Sequence, residues 1–216
     1  MGFVNRDIRI MITLSADSID VEAHRRIPQG TDTLVVFVHG SGSSRHSPRN
    51  NHVASVLEDH GYGSLLFDLL TEAEDLSREN RFDISLLTRR VEAVLESVVS
   101  DPVTKGLGVH LFGASTGAAA AIRAAVESDI AIKSVISRGG RPDLAGDALK
   151  ELHTPCLLIV GGNDPQVLDI NQVAADRIPC EHVLRVVEGA THLFEEPGAL
   201  DEVADLAADW IGSHRS

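Results

Sequence analysis

Gly108-Val109-His110-Leu111-Phe112-Gly113-Ala114-Ser115-Thr116-Gly117-Ala118-Ala119-Ala120-Ala121 reads as a buried strand, a sharp turn and the start of a helix. Val109, Leu111 and Phe112 are β-branched or large apolar residues bounded by glycine, which favours a strand. Gly113 to Gly117 forms a G-x-S-x-G pattern. Ala118 to Ala121, continued by Ile122, Ala124 and Ala125, make a small-residue helix able to pack close to a sheet. In that setting Ser115 stands on a strained turn with its hydroxyl exposed. The glycines two places to either side remove Cβ atoms that would collide where strand and helix fold back on each other. The competing reading is a glycine-bounded turn whose serine caps the following helix. The rest of the chain discriminates between them.

Outward from this stretch, strands and helices alternate. Thr33 to Val38 is a continuous apolar run, as expected of a strand buried on both faces. Further strands are read at 64–68, 132–136, 155–160 and 183–187. Val53, Val56 and Leu57 fall at helical spacing before Gly61. Ile84, Leu87, Val91, Val94, Leu95 and Val98 define one apolar helix face. Short helical character at 145–151 is followed by a helix holding Val167, Leu168, Ile170, Val173 and Ala174. The last helix presents Leu200, Val203, Leu206, Ala207, Trp210 and Ile211. Residues 69–81, polar and acidic, read as a long loop. At the other end, Ile8, Ile10, Ile12 and Leu14 alternate with polar or smaller residues, as do Ile19, Val21 and Ala23 after Ser15-Ala16-Asp17-Ser18. These are two strands of an antiparallel hairpin.

The expected architecture is α/β: a mostly parallel sheet with an N-terminal antiparallel hairpin and helices on both faces, in one domain over residues 1–216. In such sheets ligands bind outside the carboxyl ends of the strands. The loops 39–46, 113–117, 161–165 and 189–193 all follow strands and should gather on that edge.

Composition narrows the partners. With 43% apolar and 24% charged residues, the chain has the make-up of an ordinary water-soluble globular protein. A formal net charge of −13 argues against nucleic-acid and anionic-membrane binding, which need basic patches. Cys156 and Cys180 sit in neither a C-x-x-C nor a Cys/His metal pattern. No cationic-then-apolar leader opens the sequence and no apolar run is long enough to span a bilayer, so a reduced, cytoplasmic setting is expected.

A serine hydroxyl needs a base to take its proton, and the base needs an orienting acid. Of ten histidines, His192 has the best context, in a short loop after the last strand. His39 is read as shaping the loop after the first parallel strand. His24, His52, His60, His110, His153, His182 and His214 read as structural or solvated. Asp164, after Gly161-Gly162, is placed to orient His192, with Asp68 as the fallback acid; the alternative for Asp164 is a turn aspartate before proline. Ser115, Asp164 and His192 then stand in the order nucleophile, acid, base. The backbone N–H groups of Ser41 and Thr116 are the expected oxyanion donors, and the Thr116 side chain is expected to be less constrained.

Five stretches carry a family resemblance. They are Val38-His39-Gly40-Ser41-Gly42-Ser43-Ser44-Arg45, Gly113-Ala114-Ser115-Thr116-Gly117, Ser137-Arg138-Gly139-Gly140-Arg141-Pro142-Asp143-Leu144, Gly161-Gly162-Asn163-Asp164 and Gly189-Ala190-Thr191-His192-Leu193-Phe194-Glu195-Glu196-Pro197-Gly198. In these the chain resembles α/β-hydrolases of the dienelactone-hydrolase-like group, in particular small bacterial hydrolases that occur alone or fused to phosphoribosyltransferase domains. The resemblance implies the hydrolase sheet and the triad Ser115, Asp164, His192. One departure matters: dienelactone hydrolases proper use a cysteine nucleophile, and Ser115 stands there.

The expected activity is hydrolysis of a small-molecule carboxylic ester through an acyl-enzyme, without metal or organic cofactor. Thioesterase or acyltransferase chemistry on the same triad is the alternative within the enzyme class. A non-catalytic binding module is the alternative outside it. The segment from Ile136 to Pro155 is too short for a large cap, so an open, shallow site for short acyl groups is expected. Arg45, Arg138 and Arg141 lie in the loops of the catalytic edge and are candidate contacts for a substrate carboxylate or phosphate. Pairing with Asp143 or other carboxylates of this acidic chain is the competing role.

Overall fold

The structure, a computed structural model, describes residues 3–14 and 17–215, with side chains from Ile19 onward. The hairpin is β1 (Phe3–Leu14) and β2 (Asp17–Pro28), antiparallel, with Leu14 opposite Asp17. Asp17 and Ser18, read from the sequence as part of the turn, are the first residues of β2. Ser15 and Ala16 lie outside the described residues, as do the side chains of Ile8, Ile10, Ile12 and Leu14.

The remaining elements follow in alternation: β3 (Thr33–Val38), α1 (Pro48–Asp59), β4 (Gly63–Phe67), α2 (Glu72–Asp75), α3 (Arg78–Phe82), α4 (Ile84–Ser100), β5 (Gly108–Ala114), α5 (Thr116–Glu127), β6 (Ile132–Arg138), α6 (Ala148–Glu151), β7 (Cys156–Gly161), α7 (Pro165–Ala175), β8 (His182–Val187) and α8 (Ala199–Ser213). A 3-10 turn at Pro142–Ala145 precedes α6. The eight strands form one sheet in the order β1-β2-β4-β3-β5-β6-β7-β8. β2 joins β4 antiparallel, and every pair from β4 to β8 is parallel.

This order reverses direction at β3. The chain goes from β3 out to β4, then crosses back to lay β5 on the other side of β3. The loops after β3 and β5 thus meet at the switch point, where α/β sheets bind ligands.

The sheet is covered on both faces. Leu34, Val36, Val38, Val109 and Leu111 pack towards α4 and α5 in one cluster; Val35, Phe37, Phe112 and Ile159 pack towards α1 and α8 in the other. All six residues of β3 are buried. The α4 stripe is buried along its length, and α5 is buried from Thr116 to Ile122 because its alanines let the backbone approach the sheet.

Residues 69–82 differ from the expected loop: they hold α2 and α3. Thr71 and Glu74 form a reciprocal capping box at α2, which satisfies two orphan donors of a helix start. The Glu74 carboxylate also takes the Nη2 of Arg90, a fully buried side chain of α4, at 2.6 Å. A polar sequence with no apolar stripe can form these turns because caps and an ion pair replace a packed face. Among the described residues no helix is long and apolar enough to cross a membrane.

Candidate active site

Ser115 lies between the end of β5 and the start of α5 with φ 51° and ψ −121°. Ser115 and Phe194 are the two described non-glycine residues with positive φ, a conformation that costs energy and persists only where the surroundings impose it. Here they do. The Ser115 N–H donates to the Arg138 carbonyl (3.2 Å), and its carbonyl accepts from the N–H groups of Ala118 (3.1 Å) and Arg141 (3.0 Å). The Ser115 side chain makes no capping hydrogen bond, so the helix-cap reading of this serine fails.

The two glycines act at different places. A Cβ on Gly113 would stand 2.4 Å from Ala118 Cα, where strand and helix fold back as expected. A Cβ on Gly117 would stand 2.2 Å from the Val38 carbonyl oxygen and 2.4 Å from that of His39. Gly117 therefore brings α5 against the end of β3 and the loop that follows it.

Asp164 precedes α7, whose first residue is Pro165, and leaves its carboxylate unused by the helix. That carboxylate lies 2.7 Å from His192 Nδ1. The two loops are tied by their backbones: Asn163 N–H donates to the Ala190 carbonyl (2.9 Å) and Asn163 Nδ2 to that of Gly189 (2.8 Å). With Nδ1 held by Asp164, Nε2 is the nitrogen left to exchange a proton. Ser115 and His192 line the same cavity, of about 240 Å³, together with Ser41, Arg49, Asn50 and Arg138.

The loop after β3 is braced by His39. Leu69 N–H donates to its Nε2 at 3.0 Å, which leaves Nδ1 to donate to the Gly40 carbonyl at 2.9 Å. Burial pushes the His39 imidazolium below its ordinary pKa, consistent with this neutral tautomer. Beyond it, the Ser41 N–H donates to Thr116 Oγ1 at 2.9 Å. The Thr116 side chain is thus buried and engaged, against the expectation that it is less constrained. The Thr116 N–H opens α5 and has no carbonyl of the preceding turn to bond.

The three candidate arginines separate. Arg45 is ion-paired with Asp68 and Glu22 and lines a neighbouring acidic cavity of about 430 Å³. Its backbone N–H also donates to Asp68 (2.7 Å), which ties up the fallback acid away from His192. Arg141 is bidentate to Asp143 at 2.8 and 2.7 Å. Both take the carboxylate-pairing role, and neither lines the Ser115 cavity. Arg138 does. Arg49 and Asn50, which the sequence reading passed over, line it too. The available signal was position: Ser47 accepts from Asn50 N–H at the start of α1, so the first turn of α1 follows directly on the loop after β3 and faces the catalytic edge. Among the described residues no group of three or more His, Cys, Asp or Glu side chains is arranged to hold a metal.

Residues 31–209 match the alpha/beta hydrolase domain family. A Mycobacterium tuberculosis (strain H37Rv) protein provisionally named a phosphoribosyl transferase is 51% identical over 209 residues, which are 97% of this chain and 47% of that protein. The chain therefore spans about half the length of the curated relatives it matches. The crystal structure of a dienelactone hydrolase from Anabaena variabilis superposes with a TM-score of 0.92 at 42% identity, over 98% of this chain and 99% of that one. Est1E from Butyrivibrio proteoclasticus shares the fold, with a TM-score of 0.78 at 14% identity over 95% of this chain and 98% of that one. With its sheet order, its elbow and these relatives in hand, the chain belongs to the α/β-hydrolase family, in the dienelactone-hydrolase-like group.

Proposed function

We propose that the protein is a serine hydrolase of small carboxylic esters, with Ser115 as nucleophile, His192 as general base and Asp164 as its orienting acid. The observation that carries this reading is the placing of Ser115 on a positive-φ elbow, with its hydroxyl uncommitted to the helix, in the cavity that also holds the Asp164-bound His192.

His192 takes the Ser115 proton as Oγ attacks the ester carbonyl. The N–H groups of Thr116 and Ser41 receive the oxyanion, each donor contributing about 3–4 kcal/mol in the transition state. His192 then protonates the departing alcohol and activates the water that releases the acid. No step of this cycle calls for a metal or organic cofactor. For Ser41 the cycle has a condition: its N–H must exchange Thr116 Oγ1 for the substrate oxygen.

The small cavity and the short Gly139–Pro155 connection, which holds only a 3-10 turn and α6, support short acyl groups in an open site. One domain and a small-molecule partner in a cytoplasmic setting belong to the same reading; two free cysteines, Cys156 buried and Cys180 partly so, are compatible with a reducing compartment.

The test is labelling by a fluorophosphonate, with turnover of a short-chain p-nitrophenyl ester alongside, in wild type and Ser115→Ala. Labelling and turnover that both vanish in the variant support the reading. A folded wild type that neither labels nor turns over ester or thioester would replace it with the non-catalytic binding module.

A further inference from the structure

Asn171 shares the inner face of α7 with Val167 and Ala174, the other buried residues of that helix. It is fully buried. An asparagine is a poor helix former, and its amide is costly to bury unless it is hydrogen-bonded. Here Nδ2 donates to the Val167 carbonyl at 2.8 Å, within the helix, and to the Gly140 carbonyl at 3.0 Å, outside it. Among the described residues Oδ1 has no partner, so the side chain serves as a donor.

Gly140 lies in the turn after β6, and one peptide group of that turn carries the connection. The carbonyl of the 140–141 peptide accepts from Asn171. The N–H of the same peptide, that of Arg141, donates to the Ser115 carbonyl at 3.0 Å. A trans peptide is planar, with its C=O and N–H pointing in opposite directions, so an amide that fixes one end aims the other. One residue earlier, Gly139 N–H donates to the Ile159 carbonyl at 2.8 Å. Between these anchors stands a Gly-Gly pair, the backbone most free to rotate. It is closely packed: a Cβ on Gly140 would stand 1.9 Å from Ser137 Oγ. One on Gly139 would stand 3.2 Å from the His192 carbonyl oxygen and 3.6 Å from His192 Cε1. The turn is thus a backbone spacer that touches both the Ser115 elbow and the His192 loop. α7 also carries the acid: it starts directly after Asp164, whose carbonyl accepts from Leu168 N–H at 2.9 Å. Asp164 and Asn171 therefore sit on one rigid rod, about two turns apart.

We infer that Asn171 is a positioning residue for the reaction: by holding the 140–141 peptide it sets the separation of Ser115 from His192, across which the serine proton passes. This rests on the esterase reading of Ser115, and Asn171 acts through the backbone, touching no reacting atom. Without its amide the Gly-Gly turn is free to rotate the 140–141 peptide. The Ser115 carbonyl then loses its Arg141 donor and keeps only that of Ala118. A misplacement of about 1 Å is enough to cost about a hundredfold in rate.

Asn171→Leu keeps the volume and removes the donor. Val167→Ala, the control, opens a cavity on the same buried face and leaves the amide in place. Single-turnover acylation by p-nitrophenyl butyrate and inactivation by a fluorophosphonate are measured in both variants and wild type. Rates are referred to the fraction of Ser115 that labels to completion, so unfolded chains do not count. Asn171→Leu should lower the maximal acylation rate and the inactivation rate by about 10- to 100-fold, while the half-saturating ester concentration changes by less than about threefold. Val167→Ala should keep both rates within about threefold of wild type, whatever its loss of Tm. A folded Asn171→Leu that acylates within about threefold of wild type would overturn the inference. So would an equal loss in Val167→Ala, which would make the effect one of stability. Should Asn171→Leu not fold, Asn171→Ala, which adds no bulk, takes its place. Failure of both to fold would assign Asn171 to the fold alone and also overturn the inference. A wild type that neither labels nor turns over ester overturns the esterase reading itself, a result distinct from every outcome among the variants.

Discussion

The Ser41 N–H donates to the Thr116 hydroxyl at 2.9 Å, joining the loop after β3 to the first residue of α5. The same N–H is the donor the proposed mechanism needs for the oxyanion, so the Thr116 hydroxyl occupies it at rest and must yield it to substrate. Thr116→Val keeps the β-branched shape and removes the acceptor. The partly exposed Ser41 N–H then loses its protein acceptor in the free enzyme, which should cost about 1 kcal/mol of stability or less. Ester turnover, with the competitor gone, should not fall in kcat/KM. Thermal unfolding and steady-state kinetics check both parts. A correctly folded Thr116→Val with kcat/KM down by about tenfold or more would mean that the hydroxyl serves the transition state.

The carboxylate that matters to His192 is Asp164, at 2.7 Å from Nδ1, while Asp68 is held by Arg45. Asp164→Asn preserves size but removes the charge and puts an NH2 donor in place of one carboxylate oxygen, so the imidazole's tautomer is no longer fixed. Its kcat should fall by about a thousandfold or more with the fold intact. Asp68→Asn should weaken the loop at Arg45 and lower kcat by less than about tenfold, since it touches no reacting group. Equal losses in the two variants would sink the assignment of the acid. Circular dichroism and single-turnover rates on both proteins distinguish the cases.

What could be read in advance follows from how local each signal is. The β3 run, the α4 stripe and the glycine-bounded elbow are written in consecutive residues, and their elements lie where periodicity puts them. The contact of Asp164 with His192 was legible because each follows a strand and parallel strands bring such loops to one edge. Side-chain partners were not legible where they depend on the sheet order. Arg45 meets Asp68 and Glu22 because β2 and β4 are neighbours, and Arg138 meets Asn50 because the start of α1 lies over the end of β6. Nothing in the spacing of the three arginines separates the paired from the unpaired. The turns at 72–82 escaped because a capping box and the Glu74–Arg90 pair hold them, with no apolar face to betray a helix.

Gly117 tests the close approach of α5 to β3. An alanine Cβ there would stand 2.2 Å from the Val38 carbonyl oxygen, and backbone on both sides prevents a cheap adjustment. Gly117→Ala should cost about 3 kcal/mol or more, a fall in Tm of roughly 6–12 °C. Gly61 has positive φ, but a methyl group added to it would meet nothing within 4 Å, so Gly61→Ala should cost about 1 kcal/mol, from backbone strain alone. Differential scanning calorimetry on the pair would refute the packing argument if Gly117→Ala were the milder change.

His110 carries the acid sensitivity of the core. It is fully buried on β5, shares a 2.8 Å hydrogen bond between Nδ1 and Ser134 Oγ, and has its pKa lowered from 6.5 to about 4, chiefly by burial and then by repulsion from His214, Lys133 and Arg215. Between pH 6.5 and 4 the unfolded chain binds a proton here that the folded chain refuses. Stability from this residue is therefore complete above the unfolded pKa and is lost as pH falls towards the folded one. By about pH 5 the loss should be about 2 kcal/mol, and about 3 kcal/mol at the limit. His39, also buried and held neutral, adds to it with the same sign. Urea unfolding at about pH 7.5 and about pH 5, in wild type and His110→Leu, isolates the term because the carboxylates are common to both. The variant should lose about 2 kcal/mol less on acidification; equal losses would show that His110 takes up its proton in the folded protein as readily as in the unfolded chain.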